Sequence, residues 1–133
     1  MPTLEDVRRI AAALPAVTER PAWGQPMWRV KDRGFVWERP LGKKDVADLE
    51  SLGQDVPDGE LIGLRVADEA DKQALIASDP DVFLTIPHLD GYSAVLVRLD
   101  RVDPIELDEL IVEAWLLRAP KRLAADFLAA RAD

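Results

Sequence analysis

Apolar residues recur along this chain at a helical spacing first and at a strand spacing next, and the two periods predict most of its elements. Leu4, Val7, Ile10, Ala11 and Leu14 fall on one helical stripe, which Thr3 and Asp6 open with the spacing of a capping box and Pro15 closes. After a loop containing Pro21 and Pro26, the segment from Pro26 to Glu38 reads as a β-hairpin turning near Asp32, Arg33 and Gly34. Period two puts Trp28 and Val30 on one face of it, with Met27, Arg29 and Lys31 on the other. A short helix is expected from Leu41 to Leu52, ending at Gly53, and a strand from Leu61 to Val66 after the Asp58-Gly59 turn. Asp68 caps a helix to Ala77, Asp79-Pro80-Asp81 interrupts it, and Ser93 to Leu99 reads as a further strand. Asp103, Pro104 and Glu106 supply cap, first-turn proline and first-turn acid for a helix that stops before Pro120. A last helix runs from Lys121 to about Arg131, with Leu123, Phe127 and Leu128 turned inward. This order predicts an α+β two-layer sandwich, an antiparallel sheet with helices on one face.

Composition narrows the class. A chain of 133 residues, 48% of them hydrophobic and 32% charged, has the size and balance of one globular domain. No apolar run is long enough to cross a bilayer, and the opening MPTLEDVRRI lacks the apolar stretch of a secretory leader, so a cytoplasmic, monomeric protein is expected. The absence of cysteine excludes disulfides, thiolate metal sites and cysteine nucleophiles. The formal charge of −8 disfavours polyanions as partners, but it is unevenly spread. Residues 1 to 44 carry nine bases and five acids, the remainder eight bases and twenty acids. A polyanion would have to meet the first third of the chain.

Two regions beyond the elements themselves are informative. The run Leu14-Pro15-Ala16-Val17-Thr18-Glu19, followed by Trp23-Gly24-Gln25-Pro26-Met27-Trp28-Arg29-Val30, resembles the opening of the MmcQ/YjbR-like family. Leu61 to Val66 with Asp68 and Ala70, then Val95 to Leu99, Leu107 to Ile111, Ala114-Trp115 and Pro120-Lys121-Arg122, resemble its later landmarks in order. The resemblance implies a frataxin-like α+β fold and a DNA-binding role in which β-hairpins act as paired wings. Ile86 to Tyr92 departs from the family pattern, lacking its asparagine-lysine and histidine-tryptophan pairs.

Candidate chemistry is sparse. Arg29, Lys31, Arg33, Arg39, Lys43 and Lys44 lie in or beside the hairpin, and three of them alternate along one strand, as phosphate contacts at a projecting element require. Trp23, Trp28 and Trp37 stand in the same stretch and could stack on bases; edge protection by charge and core packing of tryptophan explain the same residues. His88, the only histidine, lies near Asp90 and Tyr92 in a loop that could line a small polar pocket or simply turn into the last strand. Glu106, Glu109 and Glu113 share a helix face that could hold a hard cation weakly, although the helix dipole accounts for them as well. Gly42-Lys43-Lys44 lacks the rest of a P-loop, no G-x-G-x-x-G occurs, and Ser93 is followed by Ala94 rather than a nucleophile-elbow pattern. A non-enzymatic protein without cofactor or bound metal is therefore expected, contacting DNA through the basic hairpin. The alternative is a protein-interaction or small-ligand module using exposed aromatics or the region of His88 and Tyr92.

Overall fold

The computed structural model describes residues 1–131. Its elements are α1 (Leu4–Ala12), β1 (Val17–Glu19), β2 (Met27–Val30), β3 (Arg33–Glu38), α2 (Lys43–Ser51), β4 (Leu61–Arg65), α3 (Glu69–Ser78), β5 (Phe83–Leu84), β6 (Ala94–Arg98), α4 (Pro104–Arg118) and α5 (Lys121–Arg131). One 3₁₀ turn, Pro87–Leu89, precedes β6. All strands join one antiparallel sheet in the order β1-β2-β3-β4-β6-β5. The expected α+β fold is therefore present, with two strands, β1 and β5, that were too short to show a periodicity of their own.

Helix starts follow the signals read from the chain. The Thr3 N–H donates to the Asp6 carboxylate at 2.7 Å, and the Asp103 carboxylate accepts from the N–H groups of Ile105 and Glu106, satisfying donors that a helix start leaves free. One face of the sheet carries the main core. Trp28, Val30, Val36, Ile62, Leu64, Val95 and Val97 meet Val7, Ile10 and Ala11 of α1 and Leu107, Ile111, Ala114 and Trp115 of α4. Both large indoles there are fully buried and still satisfied. Trp28 Nε1 donates to Glu19 at 3.0 Å and Trp115 Nε1 to the Pro15 carbonyl at 3.1 Å, as burial of an indole N–H demands.

A smaller cluster lies on the opposite face, where Leu49 of α2 joins Leu61, Ile86, Leu89 and Leu96. The α2 segment and the loop before β6 therefore cover part of the face that the helical layer leaves open. The rest of that face, around β2 and β3, stays accessible and positions the site described next.

The hairpin turn differs from the expected one. Val30 pairs with Arg33, so the turn is Lys31-Asp32, and both residues have positive φ (50° and 62°), as a two-residue type I′ connection requires. Gly34, the apparent turn glycine, serves packing instead: a Cβ there would sit 2.7 Å from Met27 Sδ. A bulge between Trp28 and Arg29 adjusts the register.

An aromatic cleft and a divided basic set

The shifted turn changes the basic hairpin. Residues opposite one another in antiparallel strands project to the same side, so Arg33 goes with Val30 and Arg29 with Gly34. Arg29, Lys31 and Arg33 consequently do not line one strand face. Arg39, Lys43 and Lys44 lie beyond the far end of β3, roughly 17 Å along the strand from Arg33 at 3.3 Å per residue. Two of them are already paired, Arg39 with Asp45 at 3.0 Å and Lys44 with Asp48 at 3.2 Å. The six cations read as one set are thus split into two groups, and the second is largely neutralised.

The same fold gathers the aromatics. Ala22 and Gln25 bridge across a second tight turn, Trp23-Gly24, whose residues have φ of 56° and 80°. This turn holds Trp23 fully exposed, 100% of its surface in solvent. Trp37, on β3, lies over Gly63, its register partner on β4. With Met27, Gln25, His88 and Tyr92 these residues line an open cleft of about 660 Å3 on the uncovered face. Glu38 and Arg39 give it a polar rim. His88 and Tyr92 come together as expected; Asp90, exposed at the end of the 3₁₀ turn, is not among the lining residues. His88 also borders a second depression, shared with Gly42, Lys44, Asp45 and Asp48.

Two buried polar residues hold the walls. Lys72 of α3 is 1% exposed and its Nζ donates to the carbonyls of Leu89 and Tyr92, at 2.8 and 3.2 Å, tying down the loop that carries His88. Asp45 accepts from the Gly42 N–H at 2.9 Å and from Arg39, joining the start of α2 to the end of β3. Burial acts to raise the Asp45 pKa, but the Gly42 N–H, Arg39 and the neighbouring His88 outweigh it and hold the carboxyl below its ordinary value. A carboxyl whose pKa is lower in the folded state stabilises the fold fully above its unfolded pKa and loses that contribution as pH falls through the folded one. Asp45→Asn is therefore expected to lower the urea midpoint at neutral pH, and the gap to the wild type should close below about pH 4. A gap independent of pH would show that shape, not charge, makes Asp45 matter.

The acidic helix face is less suggestive. Burial first, and then the neighbouring charges of Asp79, Asp103 and Glu109, raise the Glu106 pKa. Among the described residues no three carboxylate or imidazole groups are grouped as a metal site would need. None of the helices described is long and apolar enough to cross a membrane.

Comparison with known proteins places the chain. The family model YjbR matches residues 12–117. The chain belongs to the YjbR family. It is 48% identical over 129 residues to the uncharacterized protein Rv2570 of Mycobacterium tuberculosis, across 97% of this chain and 98% of that protein. The uncharacterized protein Mb2600 of Mycobacterium bovis matches with the same identity and coverage. Among solved structures, Deinococcus radiodurans protein DR2400, of domain family DUF419, superposes with a TM-score of 0.67 at 23% identity, covering 92% of this chain and 82% of that one. That likeness supports the fold. Within this YjbR chain, Trp23 and the His88–Tyr92 loop were legible as candidates, whereas Lys72, a lone base among acids and alanines, carried no sequence signal for its buried role.

Proposed function

We propose that this YjbR-family protein is a binding module, not an enzyme, and that the aromatic cleft takes a small flat organic ligand. The observation that carries the reading is Trp23. A bulky residue at positive φ costs on the order of 1 kcal/mol, and an indole held wholly in water forfeits the burial that normally recommends tryptophan. Such a placement is explained if the ring closes over a ligand already flanked by Trp37, Met27 and Tyr92. Glu38, Arg39 and His88 would then orient polar substituents at the rim. The probe for this is anilinonaphthalene sulfonate, a flat amphipathic dye, followed by a panel of planar heterocycles. Trp23→Ala is expected to weaken dye binding about tenfold, in line with the loss of one stacking partner worth ~1–1.5 kcal/mol, while leaving the melting temperature unchanged. Undiminished binding by that variant would eliminate the cleft as the site.

A second reading, contact with DNA phosphates through the hairpin, is favoured by one observation: Lys31 and Arg33 remain exposed and free of ion pairs at the β2–β3 turn, among the described residues. It predicts binding that weakens steeply with salt, unlike the apolar cleft.

A further inference from the structure

Five arginines of this chain, Arg8, Arg9, Arg20, Arg39 and Arg98, each have a carboxylate within ion-pair distance. Arg29, Arg33, Arg65, Arg101, Arg118 and Arg122 form no ion pair among the described residues, and of these Arg33, Arg65 and Arg118 lie at one place. Val36 pairs with Leu64, so the start of β3 and the end of β4 meet at the same end of the sheet, bringing Arg33 towards Arg65. Helix α4 packs on both strands, and Leu117 shares a groove of about 450 Å3 with Leu64 and Arg65, which sets Arg118 above the same end. The Nε of Arg118 is buried there without a hydrogen-bond partner.

Burial first, and then the nearby charges of Arg65 and Arg33, lower the Arg118 pKa. Asp71 and Glu113 line the adjoining groove but neither forms an ion pair with Arg65. The carbonyl end of α4 offsets part of the Arg118 charge, leaving the other two guanidinium groups uncompensated. Lys31 on the neighbouring turn and Lys121 and Arg122 at the start of α5 add positive field without filling the gap. A cluster of like charges with a desolvated, unbonded N–H is costly by itself and becomes favourable once a multivalent anion bridges it.

We propose that Arg33, Arg65 and Arg118 form an oxyanion site for a phosphate group, built from three elements and separate from the aromatic cleft. Guanidinium forks suit the paired oxygens of a phosphate, and the exposed Arg33 leaves the site open to solvent.

The test uses the full chain with sodium pyrophosphate against sodium chloride at matched ionic strength. Pyrophosphate is expected to raise the melting temperature above that in chloride and to bind in calorimetry; Arg33→Gln and Arg65→Gln should each weaken binding about tenfold. Arg118→Gln should melt higher than the wild type without anion and lose the response to it, whereas Arg101→Gln, on the turn after β6, should behave as the wild type. A labelled DNA duplex forms the second arm. Displacement of that duplex by pyrophosphate assigns the phosphates to nucleic acid, and pyrophosphate binding without duplex binding assigns them to a small phosphate ester; each supports the site. Equal melting in pyrophosphate and chloride, or a pyrophosphate response intact in all three variants, overturns it.

Discussion

Lys72→Ala is expected to lower the stability of this protein by about 3 kcal/mol, because two charge-assisted hydrogen bonds and a packed aliphatic stem disappear together. For a chain of this size that corresponds to a fall in melting temperature of about 10 °C. The effect is local in origin. Lys72 Nζ links the Leu89 and Tyr92 carbonyls to α3, the Leu89 carbonyl also accepting from the Tyr92 N–H within the loop, and without it the segment from Ile86 to Tyr92 loses that tie. Hydrogen exchange should therefore accelerate first in residues 86–92, and dye binding in the cleft should fall with it, since His88 and Tyr92 form one wall. Lys72→Met separates the causes: it keeps the stem and removes both ammonium hydrogen bonds, leaving the Leu89 carbonyl only its bond from the Tyr92 N–H, so a loss of about 1–2 kcal/mol is expected. Wild-type stability and unchanged exchange in Lys72→Met would show that the ammonium group does not hold the loop.

Gly63→Ala is expected to cost a further class of energy, steric overlap, of about 2–3 kcal/mol. Gly63 is fully enclosed in the central strand β4, and a Cβ there would overlap the Trp37 indole that lies against its backbone. The indole must tilt away, which removes the floor of the cleft. Urea unfolding of a double-mutant cycle checks the mechanism: in a Trp37→Ala background the glycine replacement should be nearly neutral, giving a coupling energy close to the single-mutant cost. Additive losses would mean that Gly63 matters for some reason other than Trp37.

Most of the architecture was readable in the pattern of residues, and the failures have identifiable causes. Capping signals at Thr3-Asp6 and Asp103 marked real helix starts because the Asp6 and Asp103 carboxylates accept from N–H groups that a helix start leaves unpaired. The hairpin turn was misplaced because Gly34 looked like a turn residue, whereas Lys31 and Asp32 take left-handed backbone and the glycine makes room for Met27. With Lys31 in the turn and Arg33 opening β3, the alternating row of Arg29, Lys31 and Arg33 is broken up. Strands β1 and β5, of three and two residues, are recruited by their neighbours in the sheet and carry no periodicity to detect. In the candidate site, His88 and Tyr92 were close enough in sequence to be grouped, and Trp23 and Trp37 were visible as aromatics. Their convergence with Met27 depends on tertiary pairing that no local pattern encodes. The same holds for Arg65 and Arg118, which sit in the acidic two-thirds of the chain and approach Arg33 because β4 pairs with β3 and α4 crosses both.

The two edges of the sheet carry one last consequence. A flat, long outer strand gives another polypeptide a row of free amides and carbonyls to copy, the usual route to runaway fibres. Here the borders are β1, whose Thr18 and Glu19 are exposed and polar, and the two-residue β5, so each border ends before a third party could gain a useful grip. Crowding or prolonged storage should accordingly leave the sheet unextended, and any lasting association of this protein should be made by side chains.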